Sequence, residues 1–299
     1  MSGIATNRTN VALPAAVAAE ILAKTQDESA IMRLARQIEL PGMGKVIPVI
    51  SGDPEASWVD ETDAKPVSNP SLSTKTMQAY KLAVIVPFSD EFARDWSALY
   101  DDLVRRLPLA LAQKFDDTVV NGSAPGSNFD TFAAATAYTI SGSGNSFYGA
   151  LVSADGDIAS HGGILNGFAM SPQGKGEMFA AVDGDNRPLF INSVAEGAIP
   201  QLLGAPVAYS KGVYKAGSGS GTSMVPDVLG VAGDWTQALY GTVEGVKIDI
   251  ADQVTLPIGA DNAMVNLWQR NMFAVRAEIE IGFRADTNCF AKIIRDHSA

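Results

Sequence analysis

The chain has 299 residues, of which 46% are hydrophobic and 18% charged, and its net charge is −11 at pH 7. This apolar content excludes a wholly disordered chain. A single cysteine, Cys289, with only His161 and His297, excludes a disulfide scaffold and a Cys/His metal cluster. The acidic balance disfavours a tight nucleic-acid clamp. The N-terminus lacks the features of a signal peptide, so we expect a reducing cytoplasm and no membrane partner.

Two elements are expected before the longest helix. Residues 11–37 carry short apolar sets at helical spacing, which predicts a helix-rich N-terminal arm. Residues 45–50 form an apolar strand that Pro48 restricts to a sheet edge. Residues 80–86 predict the strand that returns beside it, so that the two strands make an extended hairpin.

The connection between these strands, residues 51–74, is acidic and has little apolar material of its own. A connection of this length is usually functional or disordered. One interpretation is a solvated tip, and the other is a loop that carries its carboxylates to a basic patch on another subunit. The carboxylates, opposed locally only by Lys65, are Asp53, Glu55, Asp60, Glu61 and Asp63.

The strongest helical pattern covers residues 89–121. Its apolar side chains recur at steps of three and four, at Phe92, Trp96, Leu99, Leu103, Leu107, Leu111, Phe115 and Val119. We expect Ser89 to cap this helix, with an acidic pair in its first turn. Pro108 should kink it, and Asn121-Gly122 should end it.

The same helix offers cations that the acidic tip would need. They are Arg94, Arg105 and Arg106. We predict that the tip lies on a neighbouring subunit and forms at least one of these pairs, because the five carboxylates would otherwise repel one another.

Beyond the helix, residues 122–145 predict an exposed loop or domain boundary, followed by a mixed α/β pattern. The predicted segments are helices at 145–160 and 173–182, strands at 167–170, 207–210, 228–234 and 246–250, and a flexible loop at 216–227. Residues 275–283 alternate apolar and polar side chains, which predicts an antiparallel strand with one buried face. A final strand is expected from Cys289 to Ile294, with Cys289 as a small core residue.

Motifs for catalysis are missing from the sequence. The glycine-rich segments have neither the spacing of a nucleotide-binding loop nor the context of a nucleophile elbow. We therefore identify no catalytic, cofactor-binding or metal-ligating residue.

Five short strings, in this order and within this succession of elements, resemble the major capsid protein family of tailed bacteriophages. They are Gly167-Phe-Ala-Met-Ser-Pro172, Asp183-Gly-Asp-Asn-Arg-Pro-Leu189, Leu203-Gly-Ala-Pro-Val207 with Ser210, Gly233-Asp-Trp235 with Gly241 and Glu244-Gly245, and Phe273 with Arg276 and Glu278. The resemblance covers about residues 30–295.

The resemblance implies an α+β fold with a long spine helix, antiparallel strands in a peripheral domain, an α/β axial domain and an extended β-hairpin loop. The corresponding bounds are an N-terminal arm at 1–44, the extended loop at 45–86, a peripheral domain at 87–129 and 266–299, and an axial domain at 130–265.

The function that the resemblance implies is structural: self-assembly into hexamers and pentamers of an icosahedral head that encloses double-stranded DNA. The resemblance also implies assembly in the bacterial cytoplasm, a place in the virion, a portal partner, non-specific contact with DNA and no cofactor. A separate scaffolding protein is expected because the extended loop begins close to Met1. The alternatives are an encapsulin-like compartment shell with enzyme cargo and, more remotely, an α+β enzyme.

Overall fold

The computed structural model describes residues 15–42, 44–51, 58–59, 65, 71–91, 96–140, 147–182, 187, 189, 201–219, 224–258 and 263–297, with backbone alone at 15–18, 48–51, 71–73 and 96–104. The helices are α1 (Ala15–Glu28), α2 (Ala30–Leu34), α3 (Trp96–Asn121), α4 (Phe147–Ser160) and α5 (Pro172–Ala180). The strands are β1 (Arg36–Glu39), β2 (Lys45–Ser51), β3 (Ser71–Met77), β4 (Tyr80–Ser89), β5 (Thr136–Thr139), β6 (Gly167–Met170), β7 (Gln201–Leu202), β8 (Ala205–Tyr209), β9 (Asp227–Gly233), β10 (Ala238–Thr242), β11 (Lys247–Ala251), β12 (Thr255–Ile258), β13 (Ala263–Asn266), β14 (Met272–Ala285) and β15 (Phe290–Arg295).

The central strand of a five-stranded sheet is β14. It pairs with β4 along one edge and with β10 and β11 along the other, all antiparallel, and β1 joins β10 in parallel. The predicted apolar face is confirmed, since its five side chains are at most 3% exposed: Val275, Ala277, Ile279, Ile281 and Phe283. Burial on that face fixes the register of the strand, because a slip of one residue would turn every one of these side chains outward.

The spine helix α3 lies against this face. Leu107 and Leu111 pack with Val275 and its neighbours, and the Phe115 ring meets Phe283 edge-on at 6.2 Å. The expected end is confirmed, because Gly122 adopts a φ of 91° directly after the helix. The four apolar positions of the first half, Phe92, Trp96, Leu99 and Leu103, have side chains outside the described set.

The expected start of this helix was wrong. β4 continues through Ser89, and Asp90 and Glu91 form a turn instead of a first helical turn. The Ser89 hydroxyl still accepts a hydrogen bond from the Glu91 amide, at 3.4 Å. Ten ladder partners on β14 hold β4 extended up to this point, and a long-range ladder overrides the local preference of Ser for a helix cap.

The partner of β2 also differs from the prediction. β2 pairs with β3, from Lys45 opposite Met77 to Ser51 opposite Ser71, whereas the expected return strand β4 belongs to the β14 sheet. β3 is rich in Ser and Thr and has no apolar alternation, so its sequence did not indicate a strand. Pro48 does lie at an edge, as expected, because the described part of this sheet consists of the two strands β2 and β3.

A six-stranded sheet follows the order β5-β15-β9-β6-β8-β7. α4 packs against β15, β5 and β9, and every residue of β6 is buried. The predicted helices and strands of this region are present within a few residues of their expected bounds. The loop expected at residues 122–145 was only partly correct, since Phe129 and Phe132 are buried and β5 lies within it.

The sheets cross the predicted domain bounds. β10 and β11 come from the stretch 130–265 but pair with β14, and β15 comes from 266–299 but pairs with β9. The two sheets share one aromatic core, in which Phe132 stacks on Phe290 at 4.4 Å and meets Phe283 at 5.6 Å. The boundary at residue 265 therefore does not coincide with the division between the sheets.

Candidate functional site

A salt-bridge cluster attaches the extended hairpin to the body. Arg284, on β14, donates two hydrogen bonds to the carbonyl of Thr76, at 2.9 and 2.6 Å, and pairs with Asp130 at 2.7 Å. Lys75 reaches the same carboxylate at 3.7 Å and donates to the Ala285 carbonyl at 3.2 Å. Since the Arg284 side chain is only 11% exposed, these bonds act in a partly desolvated setting and fix the direction in which the hairpin leaves the sheet.

Among its described residues, the hairpin contacts the body chiefly where β3 lies against β14, apart from the pairing of β2 with β3. Near its tip, Trp58 is 104% exposed and Val59 is 40% exposed. Tryptophan is highly buried on average and is enriched at the energetic centres of interfaces, so this exposure makes Trp58 a candidate contact residue.

Most of the predicted contact residues lie outside the described part of the chain. They are Asp53, Glu55, Asp60, Glu61, Asp63 and Arg94. The remaining two, Arg105 and Arg106, are exposed on α3. The pairing of the acidic tip with these arginines on a neighbour stays a prediction.

A buried carboxylate on α3 anchors the N-terminal arm. Asp116 accepts hydrogen bonds from the Ser29 hydroxyl at 2.5 Å, the Ala30 amide at 3.0 Å and the Ile31 amide at 3.4 Å. Burial raises the pKa of Asp116 to about 6, although these bonds and one from Ser210 oppose the rise. The groups that bond to it are neutral, so the carboxylate satisfies the first amides of α2 without a counter-charge.

A second cluster connects the C-terminal strand to the glycine-rich loop. Asp227 is paired with Arg295 at 2.5 Å and with His297 at 2.7 Å, and it accepts the Gly217 amide at 2.7 Å. Burial alone would raise the pKa of Asp227, but the bonds from Arg295, Gly217 and His297 lower it to about 2. The loop expected to be flexible at 216–227 is thus held at its base, and residues 220–223 lie outside the described set.

Among the described residues, no group of three His, Cys, Asp or Glu is arranged to hold a metal ion. Cys289 is 5% exposed, as predicted for a core residue, and burial together with Asp286 and Asp234 raises the pKa of its thiol. Within the same residues, no helix has both the length and the apolar character needed to cross a bilayer.

The spine helix, the projecting hairpin and the two-sheet body are the arrangement of a viral shell subunit, and comparison with known proteins places the chain in that class. Residues 9–288 match the Phage capsid family. The chain therefore belongs to this family, and it is a structural capsid protein whose place is in the virion. Capsid shells contain many copies of such a chain, so its partner is a second copy of itself.

Individual relatives agree with this assignment. The probable major capsid protein gp17 of Mycobacterium phage L5 is 32% identical over 92% of this chain and 87% of its own length. The major capsid protein of Staphylococcus phage 80alpha is 24% identical over 92% and 82%. A solved structure from Gordonia phage Cozz has the same fold, with a TM-score of 0.68 at 23% identity over 91% of this chain and 87% of that one. Neither the compartment shell nor the enzyme is supported by these comparisons.

The sequence did not predict the residues that fix the orientation of the hairpin. Arg284 directly follows the predicted strand at 275–283 and was given no role, and Asp130 lies in the segment 122–145, which was expected to be an exposed loop or a domain boundary. Their partners, Thr76 and Lys75, are about 210 residues from Arg284 and Ala285 along the chain. No local spacing signals a contact of that separation, whereas the exposed Trp58, within a run of carboxylates, could have been noticed as an anchor.

Proposed function

We propose that the chain assembles as hexamers and pentamers into an icosahedral shell that encloses double-stranded DNA and that it has no enzymatic role. The observation that carries the proposal is the hairpin: it is attached at its root, its described strands contact the body chiefly through β3 and β14, and Trp58, in the connection between the strands, is fully exposed. An isolated two-stranded hairpin is marginally stable in water, so a neighbouring subunit is its natural support.

Long elements that reach a neighbour suit a closed shell. They bring many weak contacts together through effective concentration, and the same contact can recur at slightly different angles around rings of five and six. The low charged fraction, 18%, suits a chain with much of its surface in interfaces.

The net charge of −11 supports a container for DNA. A wall that neutralised phosphates would bind the packaged DNA with salt-dependent affinity, and an acidic wall limits that binding. A separate scaffolding protein, a portal and assembly in the bacterial cytoplasm belong to the same proposal.

The acidic tip is the contact that we propose between neighbours. Its carboxylates would pair with at least one of Arg94, Arg105 and Arg106 on the neighbour's α3. An exposed pair contributes only about 0.2–1 kcal/mol, but a shell repeats it at every subunit, and cooperative assembly amplifies the small increment.

Electron microscopy of the purified protein tests the shell, because large closed particles are expected and discrete small oligomers would refute it. The double variant Asp60→Lys and Glu61→Lys tests the tip. It should fold normally by circular dichroism but assemble poorly, with a defect that changes with salt. Normal particles from this variant at both low and high salt would refute the tip contact.

A further inference from the structure

A groove of about 450 Å³ opens between β4 and the C-terminal half of α3. Apolar side chains line most of it, contributed by Tyr80, Leu82, Phe115, Pro125, Phe129 and Ile281. Phe115 and Phe129 are 2% and 5% exposed, so they form a packed bottom that does not collapse into the space above. The groove is thus a preformed apolar site on the surface of the subunit.

Lysines surround the groove. Lys81, Lys114 and Lys215 contribute to its lining, and the first two have side chains 68% and 62% exposed. Lys114 is 3.0 Å from Asp117 and Lys81 is 3.3 Å from Glu280. Three cations against two carboxylates leave this edge positive, in a chain whose net charge is −11. The groove therefore fits a segment that is apolar at its centre and acidic on both sides.

The chain itself contains such a segment. Trp58 and Val59 are exposed near the hairpin tip, and they are flanked in sequence by Asp53, Glu55, Asp60, Glu61 and Asp63. Trp58 is fully exposed within its own subunit, so it does not occupy its own groove. A groove of about 450 Å³ is large enough for an indole ring.

We propose that the groove receives Trp58 of a second copy, with the carboxylates of residues 53–63 beside the lysines at its edge. The inference rests on the proposed function and deepens it, because it names the surface that the tip contacts. Buried tryptophans supply most of the energy of many interfaces, while charged edges set orientation and association rate. DNA phosphates would be attracted to the lysines but would gain nothing from the apolar bottom, so the peptide segment is the better fit.

The groove and the predicted arginine contacts are compatible. Arg106 precedes Lys114 by eight residues on α3, which is about 12 Å along the helix axis. An extended segment of eleven residues reaches roughly 36 Å. One tip can therefore place Trp58 in the groove while a carboxylate at one end approaches Arg106.

Disulfide trapping between two kinds of subunit tests the proposal. One subunit carries Val59→Cys, which leaves the Trp58 anchor intact, and the other carries Ser123→Cys, at the exposed lip of the groove; Cys289 is buried and stays in place. Co-assembled and oxidised particles should give a heterodimer on a non-reducing gel at least tenfold above the control pair, Val59→Cys with Tyr148→Cys. Particles in which the two pairs cross-link equally, or neither does, would overturn the inference. A chain that forms no particles even without substitutions would refute the proposed function instead.

Charge reversal supplies an independent measurement. Lys81→Glu with Lys114→Glu should lower particle yield at least tenfold, and Asp60→Lys with Glu61→Lys in the same chain should restore it. Circular dichroism of the subunits checks that each variant folds. Normal particle yield with a reduced nucleic-acid content would identify phosphate as the partner of the lysines and would overturn the proposal.

Discussion

Replacing Asp116 by asparagine should remove a pH-dependent cost from the folded subunit. The carboxyl is fully buried, and its pKa is about 6 against an ordinary value of 3.8. Keeping it ionised therefore costs the folded state about 3 kcal/mol at pH 8, at 1.36 kcal/mol for each pKa unit. Asparagine has nearly the same shape, carries no charge at any pH and keeps one oxygen as an acceptor for the Ser29 hydroxyl.

The direction follows from the raised pKa. A carboxyl whose folded pKa lies above its unfolded value contributes stability below pH 3.8, and that contribution is lost as the pH rises through about 6. Asp116→Asn has no carboxyl to titrate at this position, so its stability does not show this decrease. Its free energy of unfolding, minus that of the wild type, should therefore increase by about 2–3 kcal/mol between pH 4 and pH 8. Urea denaturation of dissociated subunits measures this change, and taking the difference cancels groups that titrate alike in both proteins.

Asp117→Asn is the matched control, because Asp117 is the next residue of α3 and its side chain is 42% exposed beside Lys114. Its difference from the wild type should stay within about 0.5 kcal/mol over the same pH range. A flat difference for Asp116→Asn would show that the carboxyl is solvated in the subunit, and a rise of equal size in both variants would show that the effect is not local.

Three further substitutions, two of them compared with a control substitution, test the packing. Arg284→Met should lower the free energy of unfolding by about 2–3 kcal/mol through lost charged hydrogen bonds and speed proteolysis of the hairpin. Arg276→Met removes the pairs of a more exposed arginine with Asp249 and Glu278 and should lower it by less than about 1 kcal/mol; equal losses would contradict the role of Arg284 in holding the hairpin. Gly122→Ala should destabilise by at least about 1–2 kcal/mol, since its φ is 91° and a Cβ would lie 2.4 Å from that of Ala133. Gly156→Ala, in an open part of α4, should instead stabilise the subunit by about 0.5–1 kcal/mol. Urea denaturation measures the change in unfolding free energy of both glycine variants, and changes of the same sign would contradict the different surroundings of the two glycines. Phe132→Ala should cost about 3–5 kcal/mol in the same assay, because its ring lies between Phe283 and Phe290 in the core, and a loss below about 1 kcal/mol would argue against a shared core.

Periodicity predicted the elements whose burial is one-sided or complete. The alternation from Val275 to Phe283 predicted the central strand, and the apolar run from Gly167 to Met170 predicted β6. In both cases the pattern of buried side chains is visible in consecutive residues. β3 was not predicted because it lacks an apolar alternation, and its Thr74 and Thr76 side chains are exposed on a two-stranded ribbon. The pairing of β4 with β14 was missed because the two strands are almost 200 residues apart, and local pattern does not specify a non-local partner.

The candidate site was predictable in its charges and unpredictable in its geometry. The run of carboxylates around Trp58 is visible in the sequence, and it indicates a segment that needs cations from elsewhere. The groove depends on β4 lying beside the end of α3, which no spacing along the chain reveals. The composition of the sequence thus indicates the acidic segment around Trp58, whereas only the fold reveals the groove that we propose as its partner.

The hairpin separates the requirements of folding from those of assembly. Its root is held by Arg284 and Asp130, whereas Trp58 beyond β2 is fully exposed in the subunit. Two strands without a covering layer bury too little apolar surface to offset their conformational entropy. The orientation of the hairpin is therefore determined by the subunit, and in the shell that we propose a neighbour supplies the contacts of Trp58. Substitutions in the root should consequently change both subunit stability and shell assembly, while substitutions at Trp58 and its acidic flanks should change assembly alone.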